Sequence, residues 1–208
     1  KEFEYSGLVT SSKARMLKRV FDIFFSVLAL FFVWPIMVAA AIAIKCTSRG
    51  PIFFKQRREG LNGKIFSIYK FRSMRVHEEK TGEVTQAKKN DNRITAVGSF
   101  LRKTSLDELP QFINVLKGDM SVVGPRPHAI EHNKYYRERI HNYDYRHIVN
   151  PGLTGWAQIN GHRGETETED KMAARIEHDL WYVKNASLLL DIKIIIKTPF
   201  SLFLNEAY

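Results

Sequence analysis

Residues 21–44 read FDIFFSVLALFFVWPIMVAAAIAI, 24 positions whose only conventionally polar members are Asp22 and Ser26. A helix of roughly 20 such residues is long enough to cross the hydrocarbon core of a bilayer. The flanks argue against a crossing. Lys13, Arg15, Lys18 and Arg19 precede the run, and Lys45, Arg49, Lys55, Arg57 and Arg58 follow it. Positive charge favours the cytoplasmic side, so a segment basic at both ends has no preferred direction of insertion. Pro35 sits within the run, where it removes a helix hydrogen bond and clashes with the preceding turn. A helix that enters the membrane, bends at Trp34-Pro35 and leaves by the same face satisfies all three observations. We expect a re-entrant anchor over residues 20–47, with a full span or a soluble core helix as the alternatives. A cleaved signal peptide does not fit, because Ala39-Ala40-Ala41 leads into more apolar sequence instead of a polar mature start.

Outward from the anchor, residues 1–19 form a basic linker or surface helix, and residues 48–208 suffice for one compact cytoplasmic domain at the membrane surface. The expected fold class is α/β with mostly helical content, short strands and interfacial amphipathic helices. Residues 52–54 and 64–71 read as strands, the second alternating and rich in β-formers. Charged residues 77–93 read as a mobile loop. A helix-turn-helix-like stretch spans 98–117 and stops at Gly118, a good helix terminator. A Tyr- and Arg-rich helix is expected over 128–147, another over 167–181, and an apolar, amphipathic interfacial helix over 188–204 in which Asp191, Lys193 and Lys197 interrupt the run.

The net charge is +10, which suits nucleic acid, anionic lipid or phosphorylated small molecules. The single Cys46 excludes an internal disulfide. No CxxC, zinc spacing, HExxH, P-loop or GxGxxG is present. His128 and His132, four apart, could share a helix face, but two histidines make a weak metal site.

Three local patterns could carry chemistry. In Ser105-Leu106-Asp107-Glu108-Leu109-Pro110, Ser105 and Glu108 match a capping box, with Leu106, Leu109, Ile113 and Leu116 on one apolar face. Alternatively, the helix begins at Pro110. Asp107 and Glu108 then lie just outside its N-terminus, where an ionised carboxylate could meet phosphate. Adjacent carboxylates facing phosphate call for a cation, usually Mg²⁺, and an aspartate so placed can attack phosphorus. In residues 118–127, two glycines and two prolines fix a loop presenting Arg126, whose fork suits phosphate as well as it suits plain solvation. Lys70-Phe71-Arg72-Ser73-Met74 could project further cations from a strand end.

Together these residues resemble the bacterial monotopic phosphoglycosyl transferases, the sugar transferases that start polysaccharide assembly. The resemblance rests on Lys18-Arg19-Val20-Phe21-Asp22, the Pro35-broken helix, Gly50-Pro51-Ile52-Phe53-Phe54-Lys55-Gln56-Arg57-Arg58 and Lys70-Phe71-Arg72-Ser73-Met74. It continues through Leu101-Arg102-Lys103-Thr104-Ser105-Leu106-Asp107-Glu108-Leu109-Pro110-Gln111, residues 118–127, Pro151-Gly152-Leu153-Thr154-Gly155-Trp156-Ala157-Gln158 and Asp179-Leu180-Trp181-Tyr182. Gly161-His162-Arg163-Gly164-Glu165-Thr166 and the ending Asn205-Glu206-Ala207-Tyr208 look most like the exopolysaccharide branch, which transfers glucose 1-phosphate to undecaprenyl phosphate. Members of that branch commonly carry an extra N-terminal membrane region, which agrees with a chain starting at Lys1.

The resemblance implies a two-step reaction. Asp107 would attack the β-phosphate of a UDP-sugar and release UMP, and undecaprenyl phosphate would then take the phosphosugar. Glu108 completes the dyad, Mg²⁺ is held by Asp107 and phosphate oxygens, and Arg126 grips phosphate. Lys70, Arg72 and Arg102 are further phosphate-binding candidates, with Asp179 and Pro125 as supporting groups. The implied partners are a UDP-sugar, undecaprenyl phosphate and inner-membrane lipid on the cytoplasmic face, with a homo-oligomer left open. UDP-galactose or a UDP-N-acetyl sugar is the alternative donor, and a non-catalytic basic membrane-surface scaffold the alternative function. A nucleic-acid module finds no recognition motif. The family turn often reads Ser-Pro where this chain has Trp34-Pro35.

Overall fold

The computed structural model describes residues 7–76, 91–164 and 168–204. A one-turn helix α1 (Gly7–Thr10) leads into α2 (Ser12–Thr47), 36 residues started by Ser11, whose hydroxyl accepts from the Ala14 N–H at 3.4 Å. An antiparallel hairpin follows, β1 (Phe53–Glu59) with β2 (Ile65–Phe71), paired from Phe53↔Phe71 to Glu59↔Ile65. Then come α3 (Ala96–Lys103), α4 (Gln111–Lys117), β3 (Ser121–Val123), α5 (Ile130–Arg137), β4 (Gly152–Thr154), α6 (Trp156–Ile159), α7 (Glu169–Asn185) and α8 (Leu188–Leu204). Short strands amid mostly helical structure agree with the expected fold class. Of the charged loop expected over residues 77–93, positions 77–90 lie outside the described residues.

The polarity of α2 is inverted relative to a helix in water. Lys18, Asp22 and Ser26, spaced by one turn, are buried against the body, while Phe24, Phe31, Phe32 and Trp34 are exposed. Only 11% of its most apolar window is buried. Both ends of α2 pack on the same body. Phe25 meets the core of Val115, Met120, Val122, Val123 and Tyr182, whereas Met37, Ala40, Ala41 and Ile44 meet Phe71 and Leu101. The helix runs through Pro35 without interruption, so the expected break at Trp34-Pro35 is not a break in the helix. It also starts at Ser12, so within residues 1–19, expected as a basic linker or surface helix, residues 12–19 are the first two turns of α2.

A buried polar seam joins α2 to the rest. Lys18 Nζ lies 2.7 Å from Asp191 Oδ2 and 3.6 Å from Asp22. Asp22 Oδ1 accepts from the Ser121 hydroxyl and the Val122 N–H at 3.0 and 3.1 Å, and the Tyr182 hydroxyl donates to Asp191. Burial without such partners would cost several kcal/mol per charge. Asp191 therefore does not belong to a solvated polar face of α8, as the amphipathic reading supposed. It faces inward, while Leu189, Ile192, Ile196 and Phe200 are exposed.

Two further expectations change. The helix read over 128–147 is only α5. Asn142 adopts a left-handed conformation (φ 63°), and the chain turns into a 3-10 segment that buries Tyr143. His128 precedes α5 and bonds the Tyr143 hydroxyl instead of sharing a helix face with His132. Residues 152–154 form a strand parallel to β3, Ser121↔Gly152 and Val123↔Thr154. Glycine is required there, since a Cβ on Gly152 would lie 2.1 Å from the Gly124 nitrogen. That contact fixes the backbone entering Pro125.

Candidate active site

The site forms where the 104–110 turn, the end of β2 and the loop after β3 converge. After α3 the chain reverses at Ser105, which takes a left-handed conformation (φ 58°, ψ 16°), and then makes a 3-10 turn over Leu106–Glu108. Pro110, at φ −60°, leads directly into α4. The capping box does not form: the Ser105 side chain caps nothing, and the Glu108 carboxylate turns to cations. Instead, the helix begins after Pro110 with Asp107 and Glu108 outside it.

The two carboxylates have different surroundings. Glu108 accepts from Lys70 Nζ at 2.8 Å and from both terminal nitrogens of Arg126. Burial opposes its charge, but Arg126 and Lys70 outweigh it and hold the Glu108 carboxyl well below the usual carboxylate range. Asp107 is also buried, yet makes no hydrogen bond or ion pair with any described residue. Burial and the neighbouring Glu108 push its carboxyl up to about 6, against the pull of Lys70, Arg102 and Arg126. Asp107 is thus an unpaired, desolvated carboxylate beside cations committed to its neighbour, the arrangement a carboxylate nucleophile needs.

Supporting groups set the frame. Asp179 accepts from Arg146 Nε and Nη2 at 3.1 and 2.8 Å, and Arg146 Nη2 in turn donates to the Arg126 carbonyl. The Gly152 N–H donates to the Pro125 carbonyl at 2.9 Å. Asn114 fixes β2, accepting from the Tyr69 N–H and donating to the Ser67 carbonyl, which places Lys70 over the turn.

Of the residues singled out from sequence, Asp107, Glu108, Lys70, Arg102 and Arg126 come together, while Asp179 and Pro125 stand behind Arg126. Arg72 does not join them. Its guanidinium donates to the Ser48 hydroxyl and to the Ser48 and Arg49 carbonyls, closing the exit of α2. Lys70 and Arg72 would share a face only if the strand continued, and β2 ends at Phe71. Pro35 lies on the exposed side of α2, away from this cluster.

Two cations were not picked out as site residues. Arg58 donates to the Pro127 carbonyl at 3.2 Å, and burial together with Arg126 lowers its guanidinium to about 10. Arg163 donates to Ser105 Oγ at 2.6 Å and feels the charges of Glu108, Arg126 and Asp107. Both lie in motifs quoted above, but each meets the site through long-range packing that no local spacing reveals. Arg58, Lys70, Arg102, Arg126 and Arg163 give five cations against two carboxylates, a surplus suited to a diphosphate.

Among the described residues no three His, Cys, Asp or Glu side chains gather as a metal set. The donor set fits Mg²⁺ nonetheless, since this ion commonly takes one or two carboxylates plus substrate phosphates and water. Asp107 offers that one free carboxylate.

A family model described as bacterial sugar transferase matches residues 13–205. Over 193 residues the chain is 54% identical to a UDP-glucose:undecaprenyl-phosphate glucose-1-phosphate transferase of Escherichia coli, covering 93% of this chain and 41% of that protein. It is 49% identical to the exopolysaccharide production protein PSS of Rhizobium leguminosarum, covering 89% of this chain and 94% of that one. It is 44% identical to a UDP-N-acetylgalactosamine-undecaprenyl-phosphate N-acetylgalactosaminephosphotransferase of Aeromonas hydrophila, covering 95% and 46%. The chain spans about two fifths of the length of the Escherichia coli relative.

Proposed function

The chain belongs to the bacterial sugar transferase family, and we propose that it transfers glucose 1-phosphate from UDP-glucose to undecaprenyl phosphate, with release of UMP. The observation that carries this reading is the unpaired Asp107 carboxylate beside cations that hold Glu108. The names of relatives from Escherichia coli and Xanthomonas campestris, at 54% and 55% identity, favour glucose 1-phosphate. The Aeromonas hydrophila relative keeps an N-acetylated donor as the second reading.

In the first step an Asp107 oxygen attacks the β-phosphorus. A carboxylate O–P bond forms, the bridging P–O bond to the α-phosphate breaks, and UMP leaves with that bond's electrons. In the second step an oxygen of undecaprenyl phosphate attacks the same phosphorus, the acyl-phosphate O–P bond breaks, and Asp107 is regenerated. Glu108 stays ionised and keeps Arg126 and Lys70 extended toward the incoming phosphates. Arg102 and Arg58 add the surplus positive charge that lets two anions use one site in turn. Mg²⁺, held by Asp107 together with phosphate oxygens, would neutralise charge on the diphosphate.

The anchor is read as monotopic, on the cytoplasmic face of the inner membrane. Residues 18–26 and 37–44 pack on one body, leaving residues 27–36 between them. Ten helical residues reach about 15 Å at 1.5 Å each, half of the roughly 30 Å hydrocarbon core. That length supports a shallow insertion with both ends on the same side. Exposed apolar residues on α8 would lie in the same interface.

The test is UMP release by the detergent-solubilised protein given Mg²⁺, undecaprenyl phosphate and separate UDP-sugars. The reading predicts release with UDP-glucose and none from Asp107→Asn. Release with UDP-N-acetylgalactosamine alone would move the assignment to the second donor, and full activity in Asp107→Asn would remove the nucleophile.

A further inference from the structure

Ser105 presents a problem that the reaction scheme leaves unsolved. It sits two residues before the nucleophile in a left-handed conformation that side chains other than Gly, Asn and Asp rarely adopt. Its carbonyl accepts from the Glu108 N–H at 3.2 Å and so closes the turn on which Asp107 rides. Its hydroxyl gives nothing back to that turn. The hydroxyl accepts from Arg163 Nη2 at 2.6 Å, 58 residues away in sequence.

Arg163 comes from a loop that is itself held. Gly161 turns it at φ 91°, the His162 N–H donates to the Ala157 carbonyl at 3.0 Å, and Arg175 donates to the Gly164 carbonyl. Arg175 is buried on α7, the helix that also carries Asp179. The motif at residues 161–164 is therefore tied at its base to α6 and α7, with one side chain extended to the nucleophile's turn.

We propose that Arg163 is a positioning residue for Asp107: its guanidinium latches Ser105 in the left-handed turn and so aims the carboxylate at the β-phosphorus. The proposal rests on Asp107 being the nucleophile of the reaction above. A latch of this kind acts where reacting atoms must be aligned, and small misplacements of a nucleophile are expensive in rate. It should therefore appear in kcat more than in KM.

The test compares Arg163→Gln, Ser105→Ala, their combination, and Arg163→Gln with Ser105→Gly. The latch predicts that either single change lowers kcat about 10- to 100-fold with KM for the UDP-sugar within about twofold. The double change with Ala should be no worse than either single, because both break one contact. Glycine adopts positive φ freely, so Ser105→Gly should restore much of the rate lost in Arg163→Gln. Raised KM at unchanged kcat, or additive losses, would overturn the latch and make Arg163 a plain phosphate contact. Amide exchange supplies a readout free of turnover. Residues 105–109 should exchange faster in Arg163→Gln and Ser105→Ala while α7 keeps its protection. Unchanged exchange at 105–109 overturns the proposal whether or not the protein releases UMP. Wild-type protein with a protected turn but no UMP release would count against the proposed reaction alone.

Discussion

Arg126 grips Glu108 and leaves its neighbour Asp107 alone. Two adjacent carboxylates meet the same cations, yet one accepts from Arg126 and Lys70 while the other has no partner among the described residues. The consequence is a division of roles: a fixed anion that holds the cations, and a free one that can react.

That division predicts opposite stability effects for two similar substitutions. Glu108→Gln strips the counter-charge from two largely buried cations, and breaking such a pair costs about 3 kcal/mol. A clear drop in Tm with loss of activity is expected. Asp107→Asn removes a charge that burial and Glu108 both oppose, so Tm should stay or rise while activity vanishes. Thermal melts of both variants in the same detergent check the contrast, and a Tm loss in Asp107→Asn as large as that in Glu108→Gln would contradict it.

The pH dependence follows from the same pair. Asp107 must be ionised to attack, and its carboxyl is pushed up to about 6, so kcat/KM should fall as pH drops through about 6. Stability moves the other way for this group. Its folded pKa lies above the ordinary value of 3.8, so its ionisation disfavours the folded state above about 6 and has no effect below about 4. Glu108, held well below its ordinary value, contributes stability present above about 4.5 and lost as pH falls further. A pH–rate profile flat down to pH 5 would contradict the first statement.

The topology can be read with the chain's own thiol. Cys46 is exposed at the end of α2. A Ser11→Cys, Cys46→Ala variant moves the probe to the other end of the same helix. In sealed inside-out vesicles, a membrane-impermeant maleimide should label both proteins. Labelling of only one of them would establish a crossing.

Much of the fold was legible because its signals are local. The alternation over residues 64–71 became β2, Gly118 ends α4 at φ 89°, and the turn between α3 and α4 carries the carboxylates. What escaped depended on distant partners. Asp191 looked solvated because a charge in an apolar helix usually is, and only Lys18 and Tyr182, far off in sequence, make its burial affordable. Strand β4 is three residues long, two of them Gly and Thr, and exists because Gly124 and Gly152 permit backbone contact. Arg72 was misread from a strand alternation that stops one residue earlier. Arg58 and Arg163 were in view as motif letters, but their place beside Asp107 is a property of the folded chain.

The central claim is that Asp107 carries the phosphosugar covalently between the two substrates. The most direct measurement is rapid-quench UMP release from UDP-glucose and Mg²⁺ with no undecaprenyl phosphate present. The account predicts a burst of about one UMP per active site, phosphosugar retained on the protein, and neither in Asp107→Asn. UMP that forms only when undecaprenyl phosphate is added, with no phosphosugar on the protein, would mean direct transfer and contradict the account.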